Sequence, residues 1–110
     1  AAGWQVHTHA IGDGAVRAAL DGFEIARVAN GNKRSRHTIA HLQLVHPNDY
    51  ARFAELNVVP TMQLQWASRN VWTMEALLPF IGEKRHDRMY PAKSMLDAGA
   101  PLAGQCRTRR

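Results

Sequence analysis

A chain of 110 residues holds one domain or part of one. Hydrophobic residues make up 45% and charged residues 21%, an ordinary globular balance that excludes extended disorder. No apolar run approaches the length of a bilayer span, which argues against a membrane partner.

The net charge of +5 belongs largely to the end of the chain. Of the 14 basic residues, three are Arg107, Arg109 and Arg110; without them 11 basic residues face 9 acidic ones. The other basic cluster, Lys33, Arg34 and Arg36, follows Gly31 and reads as a solvated loop, so a nucleic-acid partner is not expected. The single cysteine, Cys106, excludes an internal disulfide framework and a cysteine-based zinc site, and fits a reducing compartment. The first five residues have neither the charged nor the apolar region of a signal peptide; the chain reads as cytoplasmic and as beginning mid-protein.

Trp4 to His9 alternates and is rich in strand formers, and Gly12 and Gly14 mark the turn after it. Asp13 is placed to cap a helix, with a substrate contact as its other reading. Val16, Ala19, Leu20, Phe23 and Ala26 then recur at helical spacing, and Asn30-Gly31-Asn32 stops that helix. A second strand is expected over 38–44, a short helix from Pro47 to Leu56, and a third strand over 58–63, with Pro60 blurring its limits. The stretch 64–83 reads as a long loop with some helix. A helix over 92–98 and a very short strand over 100–103 complete the order. Alternation at this spacing means βα units and a parallel sheet. The units are too few to close an eight-stranded barrel, which takes about 250 residues, so the sheet is either small and open or part of a barrel.

The six histidines carry the chemical interest. His7 and His9 are two apart on the first strand, and His37 and His41 are four apart on the second; even spacing puts each pair on one face. His9 and His41 both fall at C-terminal strand ends, the rim where α/β barrels build their sites. Spacing alone leaves two readings open: imidazoles converging on a metal, or histidines filling a polar core. Gln63, ending the third strand, is a rim residue placed for substrate contact. His46 reads as a loop residue and His86, among Glu83, Lys84, Arg85, Asp87 and Arg88, as part of a solvated charged stretch. Trp66 and Trp72 read first as buried packing and second as pocket walls. No Walker loop, dinucleotide fingerprint or nucleophile elbow is present.

The run His9-Ala10-Ile11-Gly12-Asp13-Gly14-Ala15-Val16, with Leu20-Asp21 and Phe23-Glu24, resembles the amidohydrolase superfamily, in its family 3 branch with the relatives of N-substituted formamide deformylases. Arg36-His37-Thr38-Ile39-Ala40-His41-Leu42-Gln43-Leu44-Val45 continues the likeness. So do Asp49, Arg52-Phe53, Leu56, Met62-Gln63, Gly82, Arg85, Tyr90-Pro91 and Leu96-Asp97-Ala98-Gly99-Ala100. The resemblance implies a (β/α)8 TIM barrel of which residues 1–104 supply the region of strands 5 to 8. It implies one or two divalent metals, zinc first among them, that activate a water for attack on the C–N bond of a small amide-type substrate. It makes His9 and His41 the metal ligands of strands 5 and 6. His7, Asp13, His37 and Gln63 stand as substrate-binding or supporting residues.

Three departures accompany it. Strands 1 to 4 are absent, Ala40 stands where the family usually has Glu, and the catalytic Asp expected after Gly104 is missing. Residues 105–110 instead form an aberrant basic tail, which reads as a frameshift, a gene-model error or a truncated frame. No catalytic residue is assigned, and the chain is expected to be inactive alone, to expose apolar edges, and to suit a complementary barrel half as partner. The rival reading is a small non-enzymatic α/β module whose basic tail binds an acidic or nucleic-acid partner.

Overall fold

The computed structural model describes residues 3–31 and 34–104. The basic tail 105–110, with Cys106, and Lys33 of the basic cluster lie outside the described residues. Four strands, β1 (His7–Ala10), β2 (Thr38–His41), β3 (Val59–Met62) and β4 (Ala103–Gly104), form one sheet in that order, and every pairing is parallel. Parallel neighbours need a crossover, and helices supply it. Helix α1 (Asp13–Asn30) joins β1 to β2. A 3₁₀ turn (Pro47–Asp49) running into α2 (Tyr50–Glu55) joins β2 to β3. The long third crossover holds a 3₁₀ turn (Leu64–Trp66), a π-helical segment (Trp72–Leu77), and α3 (Leu78–Ile81), α4 (Glu83–His86) and α5 (Ala92–Asp97). Among the described residues, no helix is long and apolar enough to cross a membrane.

The strands are shorter than the alternation predicted. Strand pairing ends at His41 because His41 and Leu42 both take left-handed backbone (φ 77° and 55°), which breaks the extended path before Leu44. Pro60 does not break β3. The amide of Val59 donates to the His37 carbonyl on the β2 side (2.8 Å), so by alternation the donor that proline lacks faces β4, and β4 pairs only from Thr61 onward. Helix α1 closes as the sequence indicates: Gly31 is left-handed (φ 62°) and its N–H bonds the Arg27 carbonyl. At the other end the cap is Gly12, and Asp13 is the first helical residue, where its charge suits the helix dipole.

One face of the sheet is closed. Ala10, Ile39 and Met62 from the strands, Val16 and Leu20 from α1, Phe53 from α2 and Met95 from α5 form a single core. Fully burying side chains of this size contributes roughly 1.5–3 kcal/mol each. The opposite face is only partly covered: His7 and His9 are exposed, and Thr38, His41 and Thr61 are half-buried.

A buried carboxylate ties the helices together at the margin of the core. Asp49, 2% exposed, accepts from Arg17 Nε (3.0 Å) and Arg52 Nη1 (3.2 Å), and Arg17 Nη2 forms an ion pair with it at 2.9 Å. Arg52 also reaches back to α1, donating to Asp21 (2.7 Å) and Glu24 (2.8 Å). Desolvation works against the Arg52 charge, but bonds to Asp21, Asp49 and Glu24 outweigh it and hold its pKa above the ordinary value. A buried charge with this many donors is satisfied; one that loses them is costly. Asp49→Asn is therefore expected to destabilise the chain by about 2 kcal/mol, read as a lowered urea midpoint at unchanged slope.

Candidate metal centre

The register of β1 on β2 sets His7 opposite Thr38, His9 opposite Ala40 and Ala10 opposite His41. His7 and His9 share a face, as their spacing requires, and their rings meet edge to face at 5.4 Å. His7 Nδ1 lies 2.5 Å from the Thr38 hydroxyl oxygen, which pins the ring to the neighbouring strand. By strict alternation His41 would point to the helix side, with Ile39. Its left-handed backbone turns it instead toward the open side, where its Nε2 comes within 2.8 Å of His9 Nδ1. The ring centroids are 4.8 Å apart.

His37 and His41 do not share a face, although their spacing is even. His37 stacks flat on Phe23 of α1 (4.7 Å, 8° between planes), and its Nδ1 accepts from the Val6 amide at 3.1 Å. The positive φ at His41 is the reason: alternation holds only while the backbone stays extended. His37 is thus placed at the foot of the strands and away from the rim.

Gln63 does reach the rim. Its side-chain oxygen is 3.0 Å from His41 Nδ1. An amide oxygen only accepts, so His41 Nδ1 carries the proton, and in the neutral ring Nε2 is left with a lone pair. That is the tautomer a metal ligand needs, with its other nitrogen fixed by an acceptor. His9 Nδ1 shares a hydrogen bond with this lone pair. Two imidazole nitrogens on one tetrahedral zinc stand roughly 3.3 Å apart given Zn–N bonds near 2.0–2.1 Å. The observed 2.8 Å is close enough that slight ring movement admits an ion. The donor set therefore fits a divalent cation of the borderline class that imidazole prefers.

The set stops at two. Among the described residues, no group of three or more His, Cys, Asp or Glu side chains is arranged to hold a metal. Ala40, buried next to His9 in the register, offers no carboxylate. Asp13 is turned elsewhere: its Oδ1 accepts from Arg85 Nη2 at 2.8 Å and from the Gly14 amide at 3.1 Å, linking the β1–α1 turn to α4.

Beside His41 lies an open cavity of about 480 Å³. Gln43 and Gln63, just past the ends of β2 and β3, line it on one side, and Trp66, Asn70, Trp72 and Tyr90 line it from the long crossover. The two tryptophans are exposed, 53% and 76%, and are pocket walls rather than buried packing. For Trp72 the reason is the π-helical segment, in which the Leu78 amide reaches the Thr73 carbonyl five residues back. Its wider turn carries Trp72 to the cavity while Thr73 is buried. His86 also departs from expectation. It is 4% exposed, not solvated, because α4 turns it inward while Arg69 pairs with Asp87 above it.

A parallel α/β sheet with imidazoles converging at the C-terminal strand ends places these side chains where α/β proteins of the barrel class build their sites. The chain belongs to the amidohydrolase family, whose profile matches residues 1–105. It is 41% identical over 61 residues to Protein LONG AFTER FAR-RED 3 of Arabidopsis thaliana, a match covering 56% of this chain and 10% of the plant protein. Its fold superposes on the crystal structure of an uncharacterized metal-dependent hydrolase from Pyrococcus furiosus with a TM-score of 0.72 and 31% identity. That superposition covers 92% of this chain and 19% of the archaeal one. The chain thus spans a tenth to a fifth of the length of these relatives.

If Gln63 fixes His41 as described, Gln63→Leu should lower divalent-metal affinity by about tenfold or more, measured by calorimetry, with the circular dichroism spectrum unchanged.

Proposed function

We propose that the chain is the metal-binding portion of a hydrolase that cleaves C–N bonds of small, non-peptide amides, in the deformylase-like branch of its family. The observation that carries this reading is the convergence of His9 Nδ1 and His41 Nε2 to 2.8 Å at the C-terminal ends of neighbouring parallel strands. The family membership and the hydrolase neighbour support it. On this reading residues 1–104 correspond to strands 5 to 8 of a (β/α)8 barrel. The half-covered sheet face and the outer edge of β1, unpaired among the described residues, are then the surfaces that a complementary half completes.

The residues divide the work as follows. His9 and His41 hold a divalent metal, zinc being the ion that two neutral imidazoles suit well. When bound, the metal lowers the pKa of a water and polarises the amide carbonyl. Gln63 keeps His41 in the ligating tautomer. Thr38 holds His7 beside His9, which limits the rotation of both rings. With two ligands among the described residues and Ala40 in place of a carboxylate, the chain by itself holds the ion without turning over substrate, since hydrolytic sites use at least three protein ligands and an open position.

Calorimetric titration of the chain with zinc, beside a His9→Ala, His41→Ala double variant, tests this. Binding near one ion per chain, abolished in the variant, is the expected result. A chain with an intact α/β circular dichroism spectrum that binds no zinc would overturn the proposal.

A further inference from the structure

We propose that a hollow between α2 and the segment leading into α5, outside the histidine rim, binds a phosphoryl group, with Arg88 as its counter-charge and the hydroxyls of Tyr50, Tyr90 and Ser94 as its donors. The hollow has a volume of about 240 Å³, enough for a tetrahedral oxyanion with part of its hydration. Tyr50 opens α2, Arg88 follows α4, and Ser94 lies in the first turn of α5, so three stretches of chain meet there. Tyr90 is held among them by its amide, which donates to the Gln43 carbonyl at 2.9 Å, and takes left-handed backbone (φ 49°). Such backbone is an outlier for a bulky residue, and strain of this kind gathers at ligand sites.

The charges favour an anion. Lys93 donates to Asp97 at 2.6 Å, and Asp87, the one carboxylate of the lining, is paired with Arg69. The Arg88 side chain has neither a hydrogen bond nor an ion pair among the described residues, so its positive charge is unanswered. A guanidinium presents a planar fork of N–H donors that meets two phosphate oxygens at once, and a charge-assisted bond of this kind is about twice as strong as a neutral one.

The phenols add donors without adding negative charge. Burial pushes Tyr50 above the usual phenol range, outweighing Arg88, which pulls it down, and burial pushes Tyr90 up as well. Both rings therefore keep their protons near neutral pH and donate to an anion rather than repel it. Neither phenol oxygen nor the Ser94 hydroxyl has a partner among the described residues. A fork and three hydroxyls suit the several acceptor oxygens of a phosphoryl dianion better than the two of a carboxylate.

The chain has two tyrosines and both line the hollow, so their ring ¹³C–¹H signals report on it. The metal-free chain is titrated with inorganic phosphate, methyl phosphate and acetate, at constant ionic strength and at a pH where phosphate is the dianion. Saturable shifts of both signals are expected with phosphate, and acetate should bind at least about fivefold more weakly. Methyl phosphate tells two sources of the ligand apart. Affinity equal to that of phosphate, or tighter, assigns the site to a phosphoryl group carried on a larger molecule; weaker affinity assigns it to free phosphate. Arg88→Gln should weaken phosphate binding about tenfold, with Arg88→Lys recovering part of the loss. Arg88 is exposed, so neither change threatens folding. Lys84→Gln removes the same charge from an exposed position outside the hollow and should leave the affinity unchanged. Because Tyr90 also lines the cavity beside His41, a shift of its signal alone would place the anion at the rim and overturn the proposal. So would shifts that never saturate, acetate binding as tightly as phosphate, or equal losses in Arg88→Gln and Lys84→Gln.

Discussion

The meeting of two imidazoles from different strands depends on the parallel register of β1 and β2 together with the backbone at His41. Register alone would place His41 beside Ala10 and aim it at the helix-side core. Two consecutive left-handed residues, His41 and Leu42, turn the side chain to the other face at the moment the strand ends. Such conformations cost of order 1–3 kcal/mol apiece for residues other than glycine and persist where surrounding structure over-determines them. Here the surroundings do so. The Leu42 amide donates to Ala10, the Leu44 amide to Ile11, and Leu42 itself is fully buried. The core thus holds the strained turn, and the turn aims the His41 ring at His9.

The two faces of the sheet have opposite characters. The helix side is sealed by apolar packing and fastened at its margin by Asp49, whose arginine partners come from both α1 and α2. The other side carries His7, His9 and His41 and the cavity walled by the long crossover. Rigid helix packing behind a chemically active face is how α/β proteins hold polar side chains within a few tenths of an ångström while loops supply selectivity. The arrangement here follows that division: the converging histidines lie at strand ends, and the cavity walls come largely from the crossover.

Much of the architecture was legible because it is periodic. The α1 pattern of Val16, Leu20 and Phe23, the glycine stop at Gly31 and the strand–helix alternation all act locally; the helix formed within its expected limits and the elements came in the expected order, with the strands shorter than expected. The placement of His9 and His41 on one rim was readable from their positions at successive strand ends, together with the resemblance their flanking residues carry. What was not legible is non-periodic. Nothing in the sequence around His41 announces a positive φ, since histidine and leucine are not turn residues, so His37 was paired with it on a face it does not share. The burial of His86 within a charged run depends on how α4 packs, and the π-helical turn at Trp72 depends on one extra residue per turn; neither leaves a local signature. Asp13 was readable as a helix-start residue, but its bond to Arg85, 72 positions away, was not.

The left-handed turn also sets the alphabet of position 42 by a rule different from its neighbours'. Leu42 is buried completely, as Ile39 is, and by volume alone isoleucine, valine or methionine would each serve there. A second branch at Cβ clashes with a backbone at φ 55°, whereas an unbranched Cβ does not to the same degree. Methionine is therefore the natural exchange at 42, while isoleucine, harmless at 39, would push the strand end toward extended geometry and swing His41 off the rim. In a saturation library scored for folding, position 42 would separate by side-chain branching where position 39 separates by size.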